Sequence, residues 1–234
     1  MTTEQILKGV YAILQTLPAE DRLYAEKLIA RHLKTNEDNG FTSIAIANLV
    51  IDLKDDLAQQ EAKKGGRSAA LKAVNSILKE ASRSPRSFTL YNAPIIDGRQ
   101  CICDGYRLVR LTEHLPLNVP AEPLGYIDTD RLIPPAMFCD GNEIDLPDPA
   151  KLRAYIKDFK AKRTSSTAPK IPVYRFGENL PAVDARFLAD MMAILPDAKA
   201  YADGVRSNVF FRCEDGSDGL LCSVHTDDHT KTEL

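Results

Sequence analysis

Residues 69–111 and 183–225 share one order of elements, an amphipathic helix followed by three short strands joined by tight turns. In the second passage Phe187, Leu188, Met191, Met192 and Leu195 recur at helical spacing, starting at Val183 or Asp184, and Pro196 ends the run. Strands are expected at residues 199–202, 208–213 and 220–224, with Asp203-Gly204 and EDGSDG (214–219) as turns. In the first passage a helix over 70–82, capped by Ser68, places Leu71, Val74, Ile77 and Leu78 on one face. Phe88 and Leu90 then alternate as in a strand, followed by Ile95-Ile96 and by strands at 100–103 and 106–111. Asp97-Gly98 and Asp104-Gly105 are the turn signals between them. Tyr106, Leu108 and Arg110 are expected on one face of the last strand. A lone helix-and-meander unit exposes its apolar side. Two of them bury both helices if their strands join in one antiparallel sheet. The expected class is α+β.

The flanks read differently. Residues 1–62 repeat apolar side chains at helical spacing (Ile6, Leu7, Val10, Ile13, Leu14, then Leu23, Leu28, Ile29, then Ile44, Leu49, Val50, Leu53) and predict a small helical module. EAKKGGR (61–67) is a charged, Gly-containing joint. Residues 112–148 are rich in Pro and predict an extended connector over the core, with a turn of helix at 128–132 and a strand at 124–127. Asp148-Pro149 opens a helix through Leu152, Tyr155, Ile156 and Phe159 that ends in cations suited to a helix C-terminus. TSSTAP (164–169) is a polar loop, residues 171–176 a strand, and residues 227–234 a polar tail.

Charge bounds the function. The net charge of −3 gives no global basic field, so any nucleic-acid contact must be local. The most basic stretch surrounds the first helix of the pair: Lys63, Lys64, Arg67, Lys72, Lys79, Arg83 and Arg86, opposed locally by Glu61 and Glu80. These seven are the candidate DNA-binding residues. A solvated helix face is the alternative reading of the same charges.

Catalytic chemistry has little to stand on. His32 and His114 have no neighbouring nucleophile, and the chain carries no GxSxG, HExxH or P-loop. Cys101-x-Cys103 lacks a second CxxC and reads as core, and Cys213 and Cys222 are expected to face each other across the last hairpin as reduced packing residues. His225 and His229 have metal-ligand spacing only if helical, and DGNEIDLPD (140–148) lacks the spacing of an EF-hand. Catalytic residues, metal sites and cofactors are therefore expected to be absent. No membrane-length apolar run or signal segment is present, and the expected location is cytoplasmic.

Three passages resemble a domain of the bacterial DNA sliding clamp, the beta subunit of the replicative polymerase. AVDARFLADMMAILPDAKAY is similar to the clamp's helix ending in ALP before a strand. FFRCEDGSDGLLCSV is similar to a clamp domain's last hairpin. In CICDGYRLVRL the matching residues are Asp104, Gly105, Arg107 and Leu108. The resemblance spans about residues 67–226 and implies a single clamp-like domain, where a clamp chain holds three. The implied function is a non-catalytic DNA-associated accessory protein, of phage or mobile-element origin, with sequence-independent phosphate contacts. The implied partners are double-stranded DNA, replication proteins and further copies of the chain in a homo-oligomer. The alternative is a protein-interaction or regulatory module that uses the fold without DNA.

Overall fold

The structure is a computed structural model that describes residues 58–59, 62–117, 119, 128–162, 171–226 and 231–234. The chain divides into two units, Met1–Glu61 and Ala62–Leu234. The predicted N-terminal helices, the strand at 124–127 and the 164–169 loop lie outside the described residues. The second unit is a mixed helix-and-sheet fold, as the pattern of the sequence requires.

Helix α1 (Ser68–Arg83) leads through α2 (Ser87–Leu90) into β1 (Ile95–Ile96), β2 (Arg99–Cys103) and β3 (Arg107–Leu111). The connector carries α3 (Thr129–Leu132) and two 3-10 turns before β4 (Glu143–Ile144) and α4 (Pro149–Lys162). A two-stranded ribbon of β5 (Val173–Arg175) and β6 (Ala182–Asp184) precedes α5 (Ala185–Ile194), β7 (Lys199–Tyr201), β8 (Val209–Arg212) and β9 (Asp218–Leu221). Seven strands form one antiparallel sheet in the order β1-β2-β3-β9-β8-β7-β4. The last strands of the two meanders therefore meet in the middle, with Arg107 opposite Leu221 and Arg110 opposite Asp218. This is the order that a two-fold between β3 and β9 produces.

One sheet face lies under helices. Helix α1 buries Leu71, Val74, Ile77 and Leu78, each worth about 1.5–3 kcal/mol when removed from water. Helix α5 buries Leu188, Met191 and Ile194, packs against α1, and starts at Asp184, whose carboxylate accepts from Arg186 N at 2.9 Å. Gly219 on β9 makes room for it: a Cβ there would come within 2.6 Å of the Met191 side chain and 3.0 Å of the Leu108 carbonyl. The other face is covered by the connector, where Leu108, Ile133, Tyr201, Phe210 and Leu220 form one cluster.

Four expectations are corrected. Ser68 is the first residue of α1 and not its cap: Arg67 holds the N-cap position, with no side-chain capping hydrogen bond. Residues 87–90 form a helical turn, not a strand, because Thr89 and Leu90 N–H groups both donate to the Arg86 carbonyl. Leu108 and Arg110 do share a face, but Tyr106 lies outside the strand and is 61% exposed. Every residue of β3 is buried, so the strand lacks the one-sided pattern of a half-solvated sheet. Cys213 and Cys222 do not face each other. The hairpin register pairs Val209 with Leu221 and Arg212 with Asp218, which puts the two thiols at opposite ends.

Two arginines on β3 hold the layers. Arg107 is 1% exposed; its Nε and Nη2 donate to Asp104 Oδ2 at 2.9 and 2.7 Å, and its Nη1 donates to Asp190 on α5 at 2.6 Å. Its guanidinium also lies 3.9 Å from the centre of the Phe187 ring. Arg110 points to the opposite face and donates in bidentate fashion to Asp218 at 2.6 Å, and to Asp130 in α3. Arg107→Ala strands Asp104 in the interior and is expected to destabilise the protein by about 3–5 kcal/mol. Urea unfolding followed by circular dichroism measures this, and an unchanged midpoint contradicts it.

Candidate nucleic-acid interface

The joint before α1 bends at Gly66, which has a positive φ of 71°. Lys63 and Lys64 are exposed beside it, on the helical residues 62–64. Arg67 is less free: its Nη1 pairs with Glu113 at 3.2 Å and its Nη2 donates to the Glu113 carbonyl at 3.0 Å. On α1 the apolar residues take the sheet side, leaving Lys72 and Lys79 exposed seven residues apart on one stripe. Arg83 lies beyond them and pairs with Glu80 at 3.2 Å, and Arg86 is exposed after the helix end. Among the described residues, Lys63, Lys64, Lys72, Lys79 and Arg86 have no ion-pair partner.

A second basic helix escaped the reading of the sequence. Asp148 caps α4 by accepting from Ala150 and Lys151 N–H groups at 2.9 Å. Behind that cap stand Lys151, Arg153, Lys157, Lys160 and Lys162, all exposed, with Asp158 as the one acid in the helix. Arg153, Lys157 and Lys160 fall at helical spacing on one side, and Leu152 is fully buried on another. The signal was present as five cations in a capped helix, but only its C-terminal cations drew attention as partners of the helix dipole. Lys151 donates to the Leu234 carbonyl oxygen at 3.0 Å.

Helix α5 packs against both α1 and α4. It brings no free cation of its own. Arg186 is held by Asp184, which raises its pKa first through their hydrogen bond. Asp190 is committed to Arg107, yet burial outweighs that cation and raises its pKa from the ordinary aspartate value. The helical face thus carries two cationic helices, each packed on a neutral third.

Nothing in the cysteine chemistry adds to this surface. Burial pushes the Cys101, Cys103 and Cys213 thiols up to about 11, and raises Cys222 as well. A thiol held neutral is a poor nucleophile and metal ligand. Among the described residues no group of three or more His, Cys, Asp or Glu side chains could hold a metal. His229 lies outside them. Again among the described residues, no helix is long and apolar enough to cross a membrane. Compared with known proteins, the chain matches no family model, no curated protein and no solved structure.

The raised thiol pKa values carry a sign. As pH rises past the ordinary thiol value of about 8.5, the unfolded chain loses these protons while the folded chain keeps them to about 11. Stability is therefore expected to be insensitive to these groups below that value and to fall across the window above it. Alkylation by iodoacetamide near neutral pH should modify exposed Cys139 first and reach Cys101 only on unfolding. Peptide mass spectrometry reads the order, and equal rates for the two would contradict it.

Proposed function

We propose that this chain is a non-catalytic DNA-associated accessory protein built on a sliding-clamp-like domain, in which cationic helices contact phosphates without reading sequence. The observation that carries the reading is the pairing of two helix-plus-three-strand halves through β3 and β9, with both leading helices on one sheet face and the exposed Lys72–Lys79 stripe on the first. Lysines and arginines placed along a helix suit the regular negative charge of a duplex and carry no base readout of their own. Helix α4 extends the surface with Arg153, Lys157 and Lys160. A single domain does not surround a duplex, so encirclement requires several copies in a homo-oligomer.

A fluorescently labelled duplex of arbitrary sequence provides the test, by anisotropy at about 50 mM salt and upward. Binding is expected to weaken steeply with salt. The double variant Lys72→Glu, Lys79→Glu should weaken it by at least about tenfold and flatten the salt slope by about two. Absence of binding at the lowest salt favours the protein-interaction alternative. Light scattering with and without duplex is expected to give a mass several times the 25.9 kDa of one chain. A monomer under both conditions removes encirclement.

A further inference from the structure

Strand β5 carries a third buried arginine, Arg175, which is 3% exposed. Its main chain is occupied along the ribbon edge: the N–H donates to Thr232 Oγ1 at 3.0 Å, and the carbonyl accepts from the Thr232 N–H at 3.2 Å. Its side chain is not. Nη1 is shut off from water and has no hydrogen-bond partner, and no ion pair among the described residues involves this guanidinium. Arg107 and Arg110, by contrast, each meet two carboxylates.

The ribbon register explains the gap. Arg175 stands opposite Ala182 and Val173 opposite Asp184, so these four side chains share one face. Ala182 and Val173 offer no acceptor. Asp184 lies on the diagonal, but its oxygens already take the Arg186 N–H at 2.9 Å, Nε at 3.0 and 3.2 Å, and Nη2 at 2.5 Å. Asp145 adds to burial in raising the Tyr174 pKa, and the Tyr174 side chain points to the opposite face of β5.

A buried charge without a counter-charge is costly, and arginine does not escape the cost by losing its proton. A bound anion removes it. The anion must be small, because a duplex backbone does not reach a side chain this enclosed. It must carry one negative charge, because two would leave the interior unbalanced in the other direction. Two oxygens in a plane match the guanidinium fork, which a spherical halide does not. A small carboxylate meets all three conditions.

We propose that Arg175 anchors a buried site for a small, singly charged carboxylate ion on the Ala182 side of the β5–β6 ribbon. Local opening of the structure admits an ion of this size. The site is separate from the cationic helices and does not depend on DNA binding.

Formate is the probe, compared with chloride at equal ionic strength on the full chain. About 50 mM formate is expected to raise the melting temperature by roughly 2–4 °C over chloride. Arg175→Met keeps an apolar stem and removes the charge. It should melt in chloride no lower than the native chain and lose the formate shift. Saturation-transfer NMR of formate with the native chain keeps the test decisive if that variant does not fold: a signal that acetate displaces and chloride does not is expected. Absence of that signal overturns the proposal. So does an equal formate shift in the native chain and folded Arg175→Met, which would mark a general salt effect. Melting of folded Arg175→Met well below the native chain in chloride also overturns it, because the arginine would then already have its counter-charge. A larger shift with phosphate than with formate overturns the assignment to a singly charged carboxylate.

Discussion

The fold depends on two buried arginines three residues apart on one central strand. Arg107 and Arg110 point to opposite faces of β3, and each is matched by carboxylates from other parts of the chain. Burial works against the Arg110 charge, but Asp218 and Asp130 outweigh it and raise its pKa. Such pairs contribute little net stability, because desolvating both partners cancels most of their attraction. What they supply is register. A slip of β3 by one residue would carry each guanidinium to the wrong face, leaving four carboxylates without their partner. Arg107 thereby fixes α5 on the helical side, and Arg110 fixes β9 and α3 on the connector side. Arg99 strengthens the second knot by pairing with Asp218 at 3.2 Å.

This arrangement also explains how a chain with a net charge of −3 presents a cationic face. Many of its acids are spent inside or at helix starts: Asp104, Asp190 and Asp218 on buried arginines, Asp184 and Asp148 as caps. The lysines of α1, and those of α4 apart from Lys151, have no such duties, and their long side chains remain in water. Composition averages over both populations. Position separates them.

Local signals were legible in the sequence and long-range ones were not. Asp97-Gly98 adopts positive φ at both residues, 49° and 76°, as its hairpin chemistry demands. Asp148 caps α4, and α1 takes the apolar face its spacing predicts, because these choices depend on neighbours within a turn. The Arg110–Asp218 pair joins residues 108 positions apart, and no local pattern announces it. The same limit misplaced Cys213 and Cys222: the register depended on how the residues between Cys213 and Ser217 close the turn, where the Cys213 N–H donates to the Ser217 carbonyl at 2.8 Å. Residues 87–90 were misjudged for another reason. Two apolar residues at i and i+2 fit a strand or one helical turn equally, and only the Arg86 carbonyl decides. The basic face of α4 was open to view, since it is a count of charges on a helix that the sequence already predicted.

Helix α4 carries an unresolved electrostatic tension. Leu152 is its one fully buried side chain, and Tyr155, Ile156 and Phe159 are half-buried, so packing holds it less firmly than α1. Arg153 and Lys157 are like charges at i and i+4, which destabilise a helix by a few tenths of a kcal/mol. Lys160 and Lys162 suit the negative C-terminal end of the dipole, but Lys151 and Arg153 stand near the positive N-terminal end, where cations are unfavourable. Asp148 offsets part of this through its cap, and the Leu234 oxygen engages Lys151. Arg153 receives no comparable relief from the described residues. An anionic group brought to it would supply the missing counter-charge and steady the N-terminal turn of the helix.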